Sequence, residues 1–331
     1  MSRLETRSIS LQCIATYNTI SPFDSQVTRP IDFDIITHTI YGSLPGPSLF
    51  VGGCMHGDEL NGAAAALQLV EIIQSRELRG TVVVVPIQSP AAFNFRERLN
   101  PFDPIDPDWV FPGQKIGTYS QVLKYQLMSL ASSAECVIDC HSAGRGGVNV
   151  PMVYCPPEIG NGGGDKSLEL AKQFGGERIV VGDAEADYIW RVTFTLPFLA
   201  AREGRMGIYA EAGTGGSSIP DSKHVKYLVN GVLNVMVAMS MISGVLVEQG
   251  ERVVVNPSRH EDHLVAPCEG IFLPMVGVGS SVLAADCVAE VLCFSSARHR
   301  LFAPSSGMVT YLNNFGSVGA GDRLITISPH S

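Results

Sequence analysis

A histidine and a glutamate three residues apart, His56 and Glu59, are the residues of this chain best suited to holding a metal ion. They follow an apolar, glycine-bounded run at residues 48–53. From one tight turn, a neutral imidazole and a carboxylate can reach the same divalent cation. Zinc accepts this mixture of nitrogen and oxygen ligands, and a catalytic zinc site keeps one coordination position open. Two ligands are not enough, so the rest of the chain must supply a third ligand and a base.

A third ligand and a base are available at the ends of two later apolar runs. His141 follows the run at residues 135–140 and is the candidate for the third ligand. Asp139 could orient an imidazole from behind, and it could equally be a turn or capping residue. Glu211 ends the run at residues 207–210 and precedes a glycine-rich turn. A carboxylate there can act as a general base toward a water molecule near zinc.

The elements that must position these residues follow from the hydrophobic pattern. Continuous apolar runs predict strands buried on both faces, at residues 49–53, 81–86 and 135–140. Apolar residues at helical spacing predict helices over residues 60–73 and 119–130. We therefore expect an α/β fold with a mixed, largely parallel sheet sandwiched by helices. Ligands in such sheets bind outside the carboxyl ends of the strands, where His56 and His141 both lie.

The pattern changes after about residue 250, where helical periodicity ends. Two similar segments of short strands and glycine turns begin at Ala266 and Ala303. They predict a small all-β module with internal pseudo-symmetry, which resembles the two halves of a biotinyl/lipoyl-type barrel-sandwich hybrid. The acceptor lysine of carrier modules is absent, which favours a structural or oligomerising role. We predict a catalytic domain at residues 1–250 and a β-rich domain at residues 251–331.

Composition and charge exclude several classes of protein. The net charge of -9 argues against a nucleic-acid-binding protein. Eight scattered cysteines without a Cys-x-x-Cys motif predict buried thiols in a reducing compartment rather than disulfides. The N-terminal residues lack an apolar signal core, so we expect a cytoplasmic protein. Residues 227–247 are long enough to span a membrane, but polar interruptions favour a buried core helix.

Five short motifs, in this order, resemble those of the succinylglutamate desuccinylase/aspartoacylase family, relatives of the zinc carboxypeptidases. The motifs lie at residues 53–59, 85–93, 111–113, 139–142 and 211–213. The resemblance covers about residues 47–240, and the β-rich module is also similar to the family's C-terminal domain. Each motif alone would be a weak signal, whereas the ordered set is specific.

The family resemblance implies a role for each candidate residue. It implies one zinc ion per chain, held by His56, Glu59 and His141, with Glu211 as the general acid and base. It also implies that Arg98 stabilises the oxyanion, because a fixed guanidinium facing developing negative charge is what amide hydrolysis needs. Arg96 competes for that role, and both arginines could also be ordinary loop residues.

One motif departs from the family pattern. Where the family carries Asp-Leu-Asn-Arg-x-Phe-Pro-Gly, this chain has Asp108 and Trp109 in place of the Asn-Arg pair that binds a substrate carboxylate. An acidic and an aromatic residue cannot form that bidentate contact. As substrate-binding residues they would favour a cationic or apolar group, and they could also be a loop aspartate beside a packed tryptophan. Other arginines could supply the missing contact: Arg145, Arg191 or Arg205.

The function that the sequence predicts is zinc-dependent hydrolysis of the amide bond of an N-acyl amino acid or a related small N-acylated amine. The expected partner is that small-molecule substrate, with no nucleic acid and no membrane, and the sequence leaves homo-oligomer formation open. Two alternatives remain. One is a metallocarboxypeptidase that acts on peptides, and the other is a non-catalytic relative that binds zinc or a small ligand.

Overall fold

The structure is a computed structural model. It describes residues 2–11, 16–21, 24–30, 33–103, 105–109, 111–144, 146–182, 195–216, 219–250, 253–255, 261–295 and 297–329, with only the backbone for 16–21, 24–30 and 109.

The first part of the chain alternates strands and helices. Its strands are β1 (Arg3–Ser10), β2 (Thr16–Ser21), β3 (Asp24–Pro30), β4 (Asp34–Tyr41), β5 (Leu44–Gly53), β6 (Arg79–Val85), β7 (Cys136–Ala143), β8 (Gly147–Cys155), β9 (Arg178–Val181) and β10 (Met206–Thr214). Its helices are α1 (Leu60–Gln74), α2 (Pro90–Phe95), α3 (Tyr119–Ala131), α4 (Gly163–Phe174), α5 (Leu196–Arg202) and α6 (Ser222–Ala238), with a 3-10 turn at Pro107–Trp109.

The second part contains short strands only, within the described residues. They are β11 (Val253–Val255), β12 (Asp262–Val265), β13 (Gly270–Pro274), β14 (Ser281–Val282), β15 (Cys287–Cys293), β16 (Arg298–Phe302), β17 (Gly307–Asn313), β18 (Ser317–Val318) and β19 (Arg323–Pro329).

A large mixed sheet forms the centre of the molecule. Its main strand order is β1-β4-β6-β5-β7-β10-β8-β17-β19-β12. The four central strands β6, β5, β7 and β10 are parallel to one another, and antiparallel strands flank them on both sides. The prediction of a mixed, largely parallel sheet is therefore confirmed for the strands that carry the candidate site.

Helices cover both faces of this sheet because the buried strands are apolar on both sides. Leu49 and Val51 pack in one core with residues of α1, α4 and α6. Phe50, between them in β5, points to the other face and packs in a second core with residues of α2, α3 and α5. This alternation within a continuous apolar run is expected of a strand buried on both faces.

The predicted element bounds agree closely with the observed ones. The helix predicted over residues 60–73 is α1, and the helix predicted over 119–130 is α3. The strand predicted over residues 49–53 is longer, because β5 begins at Leu44. The apolar stretch at residues 227–247 is helical only as far as Ala238 in α6. Nowhere in the described ranges does a helix have both the length and the apolar character needed to cross a membrane.

The C-terminal strands confirm the predicted internal repeat. Each half has a strand, a two-residue strand and a second long strand: β13, β14 and β15, then β17, β18 and β19. The short strands are exchanged between the halves, since β14 pairs with β17 and β18 pairs with β13. One half thereby joins the large sheet, while β16, β15, β13 and β18 form a separate four-stranded antiparallel sheet.

The large sheet includes strands from both of the predicted domains. β17 pairs with β8 through Tyr311 and Asn149, so the large sheet extends from the first part of the chain into the second. β11, which follows the predicted boundary at residue 250, pairs with β9. The boundary itself stays a prediction.

The prediction that the cysteines avoid disulfides is wrong for one pair. Cys268 and Cys293 form a disulfide, with their Cα atoms 5.9 Å apart. Cys293 is opposite Gly270 in the register of β15 and β13, which brings it close to the residue two positions earlier. This proximity depends on strand pairing, so the spacing of 25 residues could not reveal it. The other cysteines whose side chains are described are free, and four of these five are buried.

Two leucines of α1 test the assignment of the buried face. Leu69 is 0% exposed, whereas Leu67, two positions earlier, is 50% exposed. We expect Leu69→Ala to lower the free energy of unfolding by about 2–5 kcal/mol, because it removes buried methyl groups and leaves a cavity. Leu67→Ala should change it by less than about 0.5 kcal/mol. Denaturant unfolding followed by circular dichroism measures both, and equal losses would contradict the assigned orientation of α1.

Candidate metal centre

A tight turn between β5 and α1 holds His56 and Glu59. Glu59 precedes the first residue of the helix, and its N–H donates a hydrogen bond to the carbonyl of His56, 3.1 Å away. Gly57 lies between them, where a Cβ atom would collide with the main chain of Ala92 in α2. The turn can therefore pack against α2 only with glycine at this position, and this packing presents both side chains to the same space.

His141 and Glu211 lie on the two neighbouring strands. Cys140 in β7 is paired with Gly53 in β5, so His141 is just beyond the end of that ladder. Glu211 in β10 is directly opposite His141 in the register. The carboxyl ends of β5, β7 and β10 thus converge, as parallel strands require.

The three predicted metal ligands form one buried cluster. Nδ1 of His56 is 2.9 Å from Oε1 of Glu59, and Nδ1 of His141 is 2.8 Å from Oε2 of Glu59. One ligand atom from each residue lies within 4.8 Å of the other two. His56 and His141 are 0% exposed, and Glu59 is 1% exposed.

The cluster fits a metal ion on two further grounds. Nδ1 of His56 is buried and has no hydrogen-bond partner among the described residues. Buried polar atoms almost always have a partner, so an unsatisfied imidazole nitrogen beside a carboxylate is consistent with an open ligand position. Two imidazole nitrogens and a carboxylate are also the ligand set of several catalytic zinc sites.

Carboxylates hold the far side of each imidazole. Nε2 of His56 is 3.2 Å from Oδ1 of Asp106, and Nε2 of His141 is 3.3 Å from Oδ2 of Asp139. Asp139 in turn accepts a 2.5 Å hydrogen bond from the amide of Gln88. With Nε2 held from behind, both rings direct Nδ1 toward Glu59. Asp139 thus lies beside Nε2 of His141, and its role in orienting the ring stays a prediction.

A tyrosine fixes the plane of the second imidazole. The ring of Tyr209 stacks on the ring of His141, with centroids 3.9 Å apart and planes inclined by 18°. Tyr209 is two residues before Glu211 in β10, so it occupies the same face of the strand. The imidazole is thus held at its edge by the hydrogen bond between Nδ1 and Glu59 and by the ion pair with Asp139, and on its face by packing.

The electrostatics of the cluster favour positive charge. Burial and Arg98 lower the pKa of His56, but neighbouring carboxylates, Glu59 first, outweigh them and the pKa is raised. Burial lowers the pKa of His141, and Asp139 and Glu59 raise it well above its usual value. Burial raises the pKa of Glu59, while the two imidazoles lower it well below its usual value. The cluster therefore stabilises a cation, whether protons or a metal ion supply the charge.

Glu211 has the ionisation expected of a general base. Burial, followed by repulsion from Glu59, raises its pKa to about 7, against attraction from His141, Arg323 and Arg98. Its side chain is half-buried. A carboxyl group with a pKa near neutrality can accept a proton and release it again at physiological pH.

The structure places Arg98 in the site and leaves Arg96 outside it. Arg98 donates from Nη1 to Oε1 of Glu59 at 2.8 Å and from Nη2 to Oδ2 of Asp106 at 3.1 Å. Arg96 is exposed and has a left-handed backbone at the end of α2. Gly144 packs against the Arg98 guanidinium, where a Cβ atom would collide with Nη1.

Asp108 lies beside His56 and is almost fully buried. Its Oδ2 is 3.6 Å from Nε2 of His56, and its Oδ1 is 3.9 Å from Nζ of Lys124. Lys124 is itself buried on α3, where burial lowers its pKa to about 8, and its ammonium is 4.0 Å from the ring centroid of Phe111. Asp108 thus bridges a candidate ligand and a buried cation. The side chain of Trp109 is outside the described residues, so its predicted contact with substrate stays a prediction.

Of the three other arginines predicted as alternatives for the carboxylate contact, the structure describes one, Arg205. Arg205 donates to the carbonyls of Ala131 and Ala134 and to Glu203, so these contacts hold it away from the metal cluster. Arg145 and Arg191 lie outside the described residues.

Four residues of the site were missed as candidates in the sequence: Gln88, Asp106, Lys124 and Tyr209. Asp106 begins the motif that ends at Gly113, and this was the one available signal for it. Lys124 is a single charged residue among apolar positions of α3. Nothing in the local pattern distinguishes Gln88 or Tyr209.

Comparisons with known proteins identify the family of the chain. A family model described as the succinylglutamate desuccinylase/aspartoacylase catalytic domain matches residues 45–239. An N-alpha-acetyl-L-2,4-diaminobutyric acid deacetylase from Halomonas elongata is 25% identical over 296 residues, covering 86% of this chain and 82% of that protein.

Solved structures share the fold across almost the whole chain. The product-bound ectoine utilization protein EutE (DoeB) from Ruegeria pomeroyi superposes with a TM-score of 0.82 at 20% identity, covering 99% of this chain and 95% of that one. A succinylglutamate desuccinylase/aspartoacylase from Rhodobacter sphaeroides gives 0.80 at 22% identity, covering 98% and 95%. With the family model matching more than half of the residues, the chain belongs to the succinylglutamate desuccinylase/aspartoacylase family.

Proposed function

We propose that this protein is a zinc-dependent deacylase that hydrolyses the amide bond of an N-acyl amino acid or a related small N-acylated amine. The observation that carries the proposal is the buried cluster of His56, Glu59 and His141, with Glu211 opposite His141 on the adjacent strand. Membership of a family whose named members include a desuccinylase supports the same reaction class.

The proposed zinc ligands are His56, Glu59 and His141. Two neutral imidazoles and one carboxylate match the ligand chemistry of a catalytic zinc ion. When bound, zinc supplies Lewis acidity and makes water a usable nucleophile near neutral pH. The contacts of Asp106 and Asp139 with the Nε2 atoms of the two imidazoles support this assignment, because they leave each Nδ1 facing Glu59.

Glu211 moves the proton in the proposed reaction. As a carboxylate it accepts a proton from the attacking water, and as a carboxylic acid it donates that proton to the departing amine nitrogen. Its pKa of about 7 suits both steps, because neither protonation state is strongly disfavoured near neutral pH.

Arg98 supplies positive charge where the amide oxygen becomes negative. Two of its N–H groups bind Glu59 and Asp106, which fix the guanidinium in place. A guanidinium has five N–H donors, so donors remain for a developing oxyanion. A charge fixed before the reaction is effective because no reorganisation is needed when the oxyanion forms.

The substrate class rests on the family and on the relative from Halomonas elongata. That protein is named for an acetylated diamino acid, N-alpha-acetyl-L-2,4-diaminobutyric acid. We take N-acetylated amino acids, this compound among them, as the first substrates to assay. Release of C-terminal residues from peptides in the same assay would instead favour a carboxypeptidase.

Zinc content tests the ligand assignment. We expect purified protein to bind a single zinc ion per chain, and His56→Ala and His141→Ala to lose it, because each removes a nitrogen donor. His38→Ala is the control, since His38 lies on β4 and is hydrogen-bonded to Thr6. Elemental analysis after dialysis gives the stoichiometry. Wild-type protein that takes up no zinc, or unchanged content in both variants, would refute the site.

The role of Glu211 is tested by removing its charge while keeping its shape. Glu211→Gln should lower kcat by about 10²–10⁴-fold, the usual contribution of a general base, with zinc content unchanged. Glu203→Gln, at an exposed carboxylate that pairs with Arg205, is the matched control and should keep full activity. Steady-state hydrolysis of N-acetylated amino acids measures both. A Glu211→Gln variant as active as wild type would rule out this base.

The pH dependence of hydrolysis follows from the same carboxyl group. Protonated Glu211 cannot accept a proton, so kcat/KM should decrease as pH falls through its pKa, which is about 7 in the metal-free protein. A bound cation stabilises the carboxylate and lowers this pKa, so the midpoint in the zinc-loaded protein should lie below 7. The kcat/KM profile of the zinc-loaded protein measures this midpoint. A rate that rises toward acid pH would contradict the assignment.

A further inference from the structure

The β-rich module carries a cluster of metal-binding side chains of its own. Cys268, Cys293 and His299 each offer one ligand atom, and these two sulfurs and one ring nitrogen lie within 4.8 Å of one another. Cys293 ends β15 and His299 lies in β16, whereas Cys268 is two residues before β13. The cluster is therefore a second group of possible ligands, made of residues other than those of the candidate metal centre.

Strand pairing explains why the two sulfurs meet. Cys293 is opposite Gly270 in the register of β15 and β13, and Cys268 is two positions before that glycine. A Cβ atom on Gly270 would collide with the main chain of Leu292, so glycine permits the close approach of the two strands at this point. The Cα atoms of the two cysteines are 5.9 Å apart. The pairing of β13 with β15 therefore brings the cysteines together whether or not a bond joins their sulfurs.

Alternation along β16 places His299 on the same face of the sheet as the sulfurs. Its two neighbours, Arg298 and Arg300, both donate to the carboxylate of Glu290, so all three of these charged residues lie on one face. His299 lies between the arginines and therefore points to the opposite face. In the register it is opposite the residue two positions before Cys293, and that residue and Cys293 both pack in the core of the module.

The ligand types in this cluster suit zinc. Two thiolates and one imidazole hold a zinc ion in known proteins, with a water molecule or a substrate as the fourth ligand. With bonds of about 2.3 Å to sulfur and about 2.0–2.1 Å to nitrogen, neighbouring ligand atoms of a tetrahedral zinc ion lie about 3.6–3.8 Å apart. The three atoms of the cluster lie within 4.8 Å of one another. Once the bond between the sulfurs is open, side-chain rotations are therefore enough to reach this geometry.

The position of the cluster at the surface of the module also suits a metal ion. His299 is exposed and Cys268 is partly buried, so a reductant and a metal ion can reach the cluster from solution, while Cys293 is only 7% exposed. Two thiolates balance the charge of one Zn²⁺ ion. The complex therefore adds no net charge beside the apolar core of the module, where an unbalanced charge would be costly.

We propose that Cys268, Cys293 and His299 bind a zinc ion when the disulfide is reduced, with water as the fourth ligand. Reduction comes first: a dithiol gives two electrons and two protons to the disulfide, which yields two cysteine thiols and the oxidised dithiol. Zinc then displaces the two thiol protons and accepts a lone pair from the ring of His299. The disulfide and the zinc complex are thus alternative states of the same two cysteines. This inference does not depend on the proposed deacylase function.

The test compares the wild-type protein in its oxidised and reduced forms. A phosphine reduces the disulfide and becomes the phosphine oxide, with oxygen from water, and it is then removed in the absence of air. The reduced form should bind one more zinc ion per chain than the oxidised form. Cobalt(II) in place of zinc should give a near-ultraviolet thiolate-to-cobalt absorption in the reduced form alone. The proposed ligands of the candidate metal centre include no sulfur, so cobalt bound there does not produce this signal.

Single substitutions test each ligand in the reduced protein. Cys293→Ser should abolish binding of the additional zinc ion. His299→Ala should weaken that binding by at least about tenfold, because loss of a ligand should cost no less than loss of a residue that only orients one. The matched controls are Cys287→Ser, at a free cysteine of the same strand, and His263→Ala, at a histidine of β12 that is hydrogen-bonded to Thr326. Competition with a chelator measures zinc affinity, and the unfolding midpoint of each variant shows whether the fold is retained.

A measurement on the wild-type protein decides the question if a variant does not fold. Zinc should protect Cys268 and Cys293 of the reduced protein from alkylation by iodoacetamide more than it protects Cys287, as mapped by mass spectrometry. Equal zinc content in the two forms, no thiolate-to-cobalt absorption, no protection, or unchanged affinity in His299→Ala would each overturn the inference. A His56→Ala protein should still gain a zinc ion on reduction, so failure of the proposed deacylase site and failure of this site are distinguishable.

Discussion

The carboxylate of Glu59, buried between two imidazoles, is the interaction on which the rest of the structure depends. Its oxygens lie 2.9 Å from His56 and 2.8 Å from His141, and the side chain is 1% exposed. A carboxylate buried this deeply is costly unless charged or polar partners surround it. One partner comes from its own turn and the other from β7, so the cluster forms only when β5 and β7 are adjacent and in register. The turn between β5 and α1 and the pairing of β5 with β7 are therefore specified together.

Further charged residues surround Glu59 and its two imidazoles, and their burial depends on one another in the same way. Asp106 and Asp139 hold the imidazoles from behind, Arg98 joins Glu59 to Asp106, and Lys124 faces Asp108. In such a network each group lowers the desolvation cost of its neighbours, and removal of one leaves another buried and unpaired. The network is rich in carboxylates, which raise the pKa of both histidines. Stability and cation affinity thus arise from the same contacts, which explains why so many ionisable groups lie inside an apolar sheet.

A feature could be predicted from the sequence when neighbouring residues carried its signal, as in an apolar run or a helical period. His56, Glu59 and His141 could be brought together because parallel strands end at a common edge, and buried strands are visible as apolar runs. The helices α1 and α3 followed from their periodicity. The Cys268–Cys293 disulfide could not be predicted, since it depends on the pairing of β13 with β15. Asp106 escaped notice because a loop residue has no periodicity that reveals what it contacts.

Arg323 illustrates the same limit over a longer distance. Its position depends on three pairings in sequence: β10 with β8, β8 with β17, and β17 with β19. None of these is encoded in the residues near position 323. The exchange of β14 and β18 between the halves joins the two halves of the module by strand pairing. Residues of the β-rich module thus come near the site only through the pairing of whole strands, which the local sequence does not reveal.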